Sequence, residues 1–178
     1  MKSKFLIIAL LLISCIISSC SSEDDDFNYQ NDFEESQKIW LDFKESSNNS
    51  YKYVVSEGSG FTTYGWETTV TVSNGIIIKR DFKYTAGAEG FVPEDQLEWT
   101  ENQNEINSPE HEHTSAFPAL TLDTIYTKAK QEWLIKKENT DVFFESENDG
   151  MISTCGYVMN NCLDDCFVGV HIKNIKVL

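Results

Sequence analysis

In the stretch FTTYGWETTVTVSNGIIIKRDFKY, residues 61–84, the pair Asn74-Gly75 separates two runs rich in β-branched and aromatic side chains. Asn and Gly take positive φ more readily than other residues, and a two-residue turn built from them matches the twist of the strands it joins. The pair therefore predicts an antiparallel hairpin, which commits this chain to a sheet. Thr69, Thr71 and Ser73 alternate with Val70 and Val72, so one face of that sheet is covered and the other meets water. YKYVVSE at 51–57 reads as the strand before the hairpin.

Two amphipathic helices flank these strands. The first is expected over 32–46, with Asn31 as its cap, Glu34 three residues on as in a capping box, and Phe33, Ser36, Ile39, Trp40 and Phe43 on one face. In the second, over 121–137, Leu122, Ile125, Tyr126, Ala129 and Trp133 form one stripe. Thr121 can cap it, and Lys136 and Lys137 suit the negative end of its dipole. Strands follow at 141–147, 151–159 and 167–178, with the turn Asn148-Asp149-Gly150 between the first two. Residues 85–120 hold all three prolines and read as a long loop, apart from an edge strand in DQLEWTE at 95–101. Loops of that length are functional or disordered, so any specificity is expected to reside here. Segregated helices and antiparallel strands predict an α+β fold, a sheet of six or seven strands with both helices on one face.

The chain opens with Lys2 and Lys4, an apolar run from Phe5 to Ile17, small residues and a cysteine. That is signal-peptide grammar, and the apolar run is short for a membrane span. Both Cys15 and Cys20 follow small residues, but cleavage at Cys15 would leave Ile16 and Ile17 at the mature end, so Cys20 is preferred. The reading is a signal peptide over 1–19, a lipidated acidic tether over 20–30, and a single domain over 31–178. Residues 20–26, CSSEDDD, resemble a lipobox cysteine followed by the acidic export signal of Bacteroidetes outer-membrane lipoproteins. This implies a lipid anchor on Cys20, attachment to the outer membrane and exposure at the cell surface.

The formal charge is −15, and removing residues 1–19, which hold two lysines and no acid, makes it −17. A chain so acidic excludes nucleic acid as a partner, because phosphate binding needs clustered Lys and Arg. Its only tight basic groups, Lys79-Arg80 and IKK at 135–137, read as solvated faces.

The segments TLDTIYTKA and VFFESENDGMISTCGYVMNNCLDDCFVGVHIKNI resemble small Bacteroidetes-type surface lipoproteins of unknown function. In that family an aspartate-bearing helix start, a Gly-hydrophobic strand, an Asp-Asp pair and a closing strand follow one another. The opening, a Trp-bearing helix before YKYVV and VTVSNGIII, is similar to the same family. The likeness spans nearly the whole mature chain and implies the α+β fold without an activity. Three cysteines around the Asp-Asp pair depart from the family pattern.

Those cysteines are Cys155, Cys162 and Cys166. Three thiols allow one internal pair. If the last two strands pair across 160–165, Cys155 faces about Val170, which favours Cys162–Cys166, with Cys155–Cys166 as the alternative. The favoured closure is worth about 2 kcal/mol in the chain-entropy treatment. His111 and His113, with Glu110 or Glu112, can form a transition-metal site, although solvated residues in a proline-flanked loop explain them as well. Asp164 and Asp165, with Asn160 or Asn161, offer calcium ligands but lack the spaced loop that calcium requires, and a turn is the simpler reading. His171 alternates with Val170 and Ile172 and is expected to face the open side of the sheet or a polar neighbour.

No G-x-S-x-G elbow, glycine-rich phosphate loop or H-E-x-x-H motif occurs. The expectation is therefore a non-catalytic, lipid-anchored module without a cofactor that binds a protein or glycan through the open sheet face or the 85–120 loop. Tyr51, Tyr53, Tyr64, Trp66 and Tyr84 are the aromatic candidates. The alternatives are a structural or inhibitor-like envelope protein and a small metal-dependent hydrolase using His111 and His113.

Overall fold

The structure, a computed structural model, describes residues 29–106, 109–111, 114–163 and 166–178. Cys20, the acidic tether up to residue 28, His113, Asp164 and Asp165 lie outside the described residues. The elements are α1 (Gln30–Ser46), β1 (Tyr51–Gly58), β2 (Gly65–Ser73), β3 (Ile76–Tyr84), β4 (Glu98–Asn102), α2 (Leu122–Lys128), β5 (Thr140–Glu145), β6 (Thr154–Met159) and β7 (Val168–Val177). Their strands form one seven-stranded sheet in the order β4-β3-β2-β1-β7-β6-β5. Every pairing is antiparallel. The helices pack on one face, as expected for the α+β class, and β4 is the edge strand anticipated within 95–101.

The first and last strands meet at the centre of the sheet, where Tyr51 pairs with Val177 and Val55 with Ile172 around a bulge after Val54. Two local meanders, β1 to β4 and β5 to β7, are thus joined by one long-range pairing. The hairpin turn forms at Asn74 and Gly75, with φ of 51° and 80°. A Cβ on Gly75 would stand 2.6 Å from the Asn49 side-chain nitrogen, so glycine is required there by both conformation and space. In β2, Thr68, Val70 and Val72 are buried while Thr69, Thr71 and Ser73 are only partly covered.

Three expectations need correction. α1 starts at Gln30, which places Asn31 inside the helix instead of at its cap, and Tyr29 in the cap position makes no side-chain capping bond. Packing sets this end: the Tyr29 ring meets Phe144 at 6.2 Å, and its carbonyl accepts from the Phe33 N–H at 2.8 Å. The second helix stops at Trp133 after a π-helical turn, Ala129–Trp133, in which the Leu134 N–H reaches the Ala129 carbonyl at 2.9 Å. The wider turn lets both Trp133 and Leu134 enter the core. Lys136 and Lys137 consequently lie past the helix end, where the Lys137 ammonium sits 3.9 Å from the centre of the Tyr157 ring. Finally, β2 begins at Gly65, because Thr62 turns its hydroxyl to the Tyr64 carbonyl at 2.7 Å and breaks the strand expected from residue 61. The Thr121 cap forms as read, accepting from the Thr124 N–H at 3.2 Å.

The core joins sheet and helices through aromatic rings that carry polar ends. Trp40 meets Tyr51 edge-on at 5.2 Å and stacks with Tyr126 at 6.2 Å. Its indole N–H donates to Asp123 on α2 at 3.1 Å, and Lys44 adds a 2.8 Å ion pair to the same carboxylate. The Tyr51 hydroxyl accepts the Leu122 N–H at 2.9 Å, while Tyr53 donates to the Leu120 carbonyl at 2.6 Å. Sheet tyrosines therefore satisfy backbone groups at the entry to α2, the kind of group that a buried helix start leaves without a partner. Burial pushes the Tyr51, Tyr53 and Tyr126 hydroxyls above the usual phenol range.

Tyr126 links three segments, since its hydroxyl lies 2.8 Å from the Ser36 hydroxyl, donates to the Ser36 carbonyl at 3.1 Å and accepts the Ile152 N–H at 3.2 Å. Tyr126→Phe keeps the ring and leaves that buried N–H without its acceptor. The expected loss is about 1–3 kcal/mol in urea denaturation, with the far-ultraviolet spectrum unchanged.

Candidate functional site

The helices leave one part of their own sheet face to be covered by the long loop. Alternation places Trp66 and Thr68 of β2, Arg80, Phe82 and Tyr84 of β3, and Trp99 and Glu101 of β4 on that side. The register sets Trp66 opposite Tyr84, Thr68 opposite Phe82, Phe82 opposite Trp99, and Arg80 opposite Glu101. The loop docks on this row through Phe117, whose N–H donates to the Thr68 hydroxyl at 2.9 Å. Arg80 reaches the Phe117 carbonyl at 3.5 Å.

Arg80 and Glu101 form a buried fork. The arginine Nε donates to one carboxylate oxygen and Nη2 to the other, each at 2.9 Å, and the two side chains are only 6 % and 1 % exposed. His111, in the short 3₁₀ turn Pro109–His111, places Nδ1 3.1 Å from the same carboxylate. Its ring stacks on Trp99 at 4.0 Å, with 7° between the planes. The Arg80 guanidinium also lies 5.0 Å from the centre of the Trp99 ring. Arg80, read in the sequence as part of a solvated basic pair, is instead an inward charge that holds edge strand and loop together.

A continuous series of ring contacts runs outward from this anchor. Trp99 stacks with Phe82 at 5.2 Å, Phe82 meets Tyr84 edge-on at 5.1 Å, and Tyr84 meets Trp66 and Tyr64 at 6.0 and 5.8 Å. Tyr64 then touches Phe91 at 6.0 Å, and Phe91 is 77 % exposed. Trp66 donates its indole N–H to Glu57 at 3.3 Å. Burial lifts the Glu57 carboxyl above the usual carboxylate range, partly offset by that bond. Between the rings and the loop opens a cleft of about 430 Å³, lined by Phe82, Tyr84, Trp99 and His111 together with Asp95, Gln96, Thr114 and Ser115. Concavities of this volume are the usual size of ligand sites, and this one sets the rings of Phe82, Tyr84 and Trp99 against a wall of polar side chains.

The aromatic candidates from the sequence divide here. Tyr64, Trp66 and Tyr84 join the cleft cluster, whereas Tyr51 and Tyr53 are fully buried beneath the helices and take no part in a platform. Phe82, Trp99, Phe91 and the Arg80–Glu101 pair were missed. Alternation of Arg80, Phe82 and Tyr84 in one strand and of Leu97, Trp99 and Glu101 in the other is the signal that could have found them.

The remaining candidates lie elsewhere. Cys162 and Cys166 stand at disulfide distance, with 6.0 Å between their Cα atoms. Cys155 lies opposite Val170, as the register argument required, and its thiol is buried and pushed far above the usual range. His111 has its Nδ1 engaged by Glu101, and His113, Asp164 and Asp165 fall outside the described residues. Among the described residues, no group of three His, Cys, Asp or Glu side chains is arranged to hold a metal ion. His171 lies on the open face, stacked on Phe167 at 4.1 Å, and burial holds its imidazole below the ordinary range. On the same face Lys173 and Lys83 both pair with Glu67, at 2.7 and 3.2 Å, and their bonds hold its carboxyl below the usual range.

Removing one partner of a buried charge pair strands the other, at a cost of about 3–5 kcal/mol. Arg80→Met should lower stability by that amount in urea denaturation and, by loosening Trp99, red-shift tryptophan emission before global unfolding. A surface change such as Lys79→Met should do neither. Compared with protein-family models, curated proteins and solved structures, the chain finds no match.

Proposed function

We propose that this protein is a lipid-anchored component of the cell envelope that works as a non-catalytic binding module through the aromatic cleft. The observation that carries the reading is the series of rings from Trp99 to Phe91, of which Trp99, Tyr84 and Tyr64 are partly exposed and Phe91 largely so, on the stretch of the helix-bearing face where loop instead of helix lies over the sheet. Rings needed only for packing bury fully, as Tyr51 and Tyr53 do. Here Tyr84 and Trp99 line an open concavity with polar groups around them, and large aromatic surface left accessible marks an interaction site.

Attachment is argued from the leader and from Cys20, with the acidic run SSEDDD as the tether. In this reading the protein is similar to the small Bacteroidetes-type surface lipoproteins and faces outward from the outer membrane. Its ligand is a protein or a glycan. A hydrolase reading loses its strongest support, because His111 is held by Glu101 and Trp99 as part of the loop anchor.

Metabolic labelling with an alkyne fatty acid should mark the chain, Cys20→Ser should abolish the mark, and Cys15→Ser should leave it. Labelling that survives Cys20→Ser overturns the anchor. Cross-linking from intact envelopes with the full chain as bait should give adducts that Tyr84→Leu removes while the fold, read by circular dichroism, is retained. Adducts unchanged by Tyr84→Leu would place recognition outside the cleft.

A further inference from the structure

The charges around the cleft are distributed unequally. Among its described lining residues there is no lysine or arginine, and His111 is committed to Glu101. The cleft wall at the 3₁₀ turn Glu94–Gln96 presents Asp95, with Glu94 beside it in the turn, whereas Glu98 alternates with Trp99 and faces the open side. Glu94 and Asp95 are exposed, and their side chains make no hydrogen bond or ion pair among the described residues. The buried Arg80–Glu101 pair cancels itself, and on the open face Lys79, Lys83 and Lys173 are each taken up by Asp81 or Glu67. The cleft is thus left with uncompensated negative charge beside aromatic rings, in a chain whose total charge is −15.

Aromatic faces attract cations through the ring quadrupole, and a like-signed field around a concavity steers opposite charges into it. This ring cluster already accommodates one cation, since the Arg80 guanidinium lies over Trp99 at 5.0 Å. Tyr84 lines the cleft, and its ring neighbours Tyr64, Trp66 and Phe82 meet it at 71° to 85°, so none of them lies parallel over its faces. From this geometry we infer that the cleft receives a cationic side chain, lysine or arginine, carried on a segment of a protein partner. The inference rests on the cleft being the binding site. It names the chemistry of the ligand: the ammonium or guanidinium group packs against Tyr84, and Asp95, with Glu94 beside it in the turn, supplies the countercharge. Polyanionic ligands are repelled by the same arrangement.

Titration calorimetry on the full chain in detergent, with hexalysine, a neutral hexasaccharide and hexaglutamate as probes, tests this. Hexalysine should bind, weakening about tenfold between about 50 and about 300 mM salt as screening shortens the reach of the Glu94–Asp95 turn. Asp95→Asn and Tyr84→Leu should each weaken it severalfold, whereas Glu35→Gln, an exposed acid on α1, should leave it unchanged. Equal loss in Glu35→Gln would show diffuse charge attraction and overturn the inference, as would absence of hexalysine binding. Salt-insensitive binding of the hexasaccharide, lost in Tyr84→Leu, would overturn the cationic assignment while leaving the cleft as the binding site. Binding of any probe that is indifferent to Tyr84→Leu would remove the cleft reading itself.

Discussion

The arrangement of the β3–β4 edge follows from the need to keep the Arg80 and Glu101 charges together once both are out of water. A buried ion pair contributes little net stability over apolar side chains of the same volume, because desolvation offsets most of the attraction. Its effect lies in what it forbids. A slip of β4 by one residue would turn Glu101 and Trp99 to the open face and leave a bare guanidinium under the loop. Opposite charges at facing positions thus fix the register of the shortest strand in the sheet, where only five residues contribute backbone pairing. The same carboxylate then gathers His111, and through Phe117 the arginine reaches the loop backbone, so one charge pair organises both walls of the cleft.

The helix-covered part of the face solves a related problem with neutral groups. Burying the start of α2 against the sheet removes water from its first backbone groups, and Tyr51 and Tyr53 return the missing partners from β1. Placing β1 beside β7 in the middle of the sheet brings these tyrosines under both helices at once. Close packing there leaves the β3–β4 end to carry Tyr84 and Trp99, which are only partly covered. Its accessible surface rests on a strand layer and not on the loop alone.

What could be read from the residues was whatever depends on neighbours in sequence. The Asn74-Gly75 turn, the Thr69/Val70 alternation and the Leu122 to Trp133 stripe report local geometry, and each element they imply is present. The Cys155 to Val170 register was legible because both strands border one short connection. The π-helical turn escaped because one extra residue in the last turn is decided by whether Leu134 can reach the core, a tertiary matter. The cleft was only partly visible. Tyr64, Trp66 and Tyr84 drew notice as aromatics on strands, but the separation of Tyr51 from Tyr84 into core and cleft depends on where the helices end. The inward direction of Arg80 was encoded in the alternation Arg80, Phe82, Tyr84, yet an arginine beside Lys79 looks solvated until its partner, more than a loop away in the chain, is known.

Position within the sheet bears on how such a module would work from an anchor. The chain enters α1 at Tyr29, which packs on Phe144 of β5, one edge of the sheet. The cleft lies at β3 and β4, the other edge. With strands spaced by roughly 4.8 Å, crossing from β5 to β4 spans on the order of 28 Å, so Tyr29 and the cleft lie at opposite edges of the sheet. Under the proposed anchoring at Cys20, a cationic partner would therefore meet the rings of β3 and β4 at the edge of the sheet farther from where the chain enters α1.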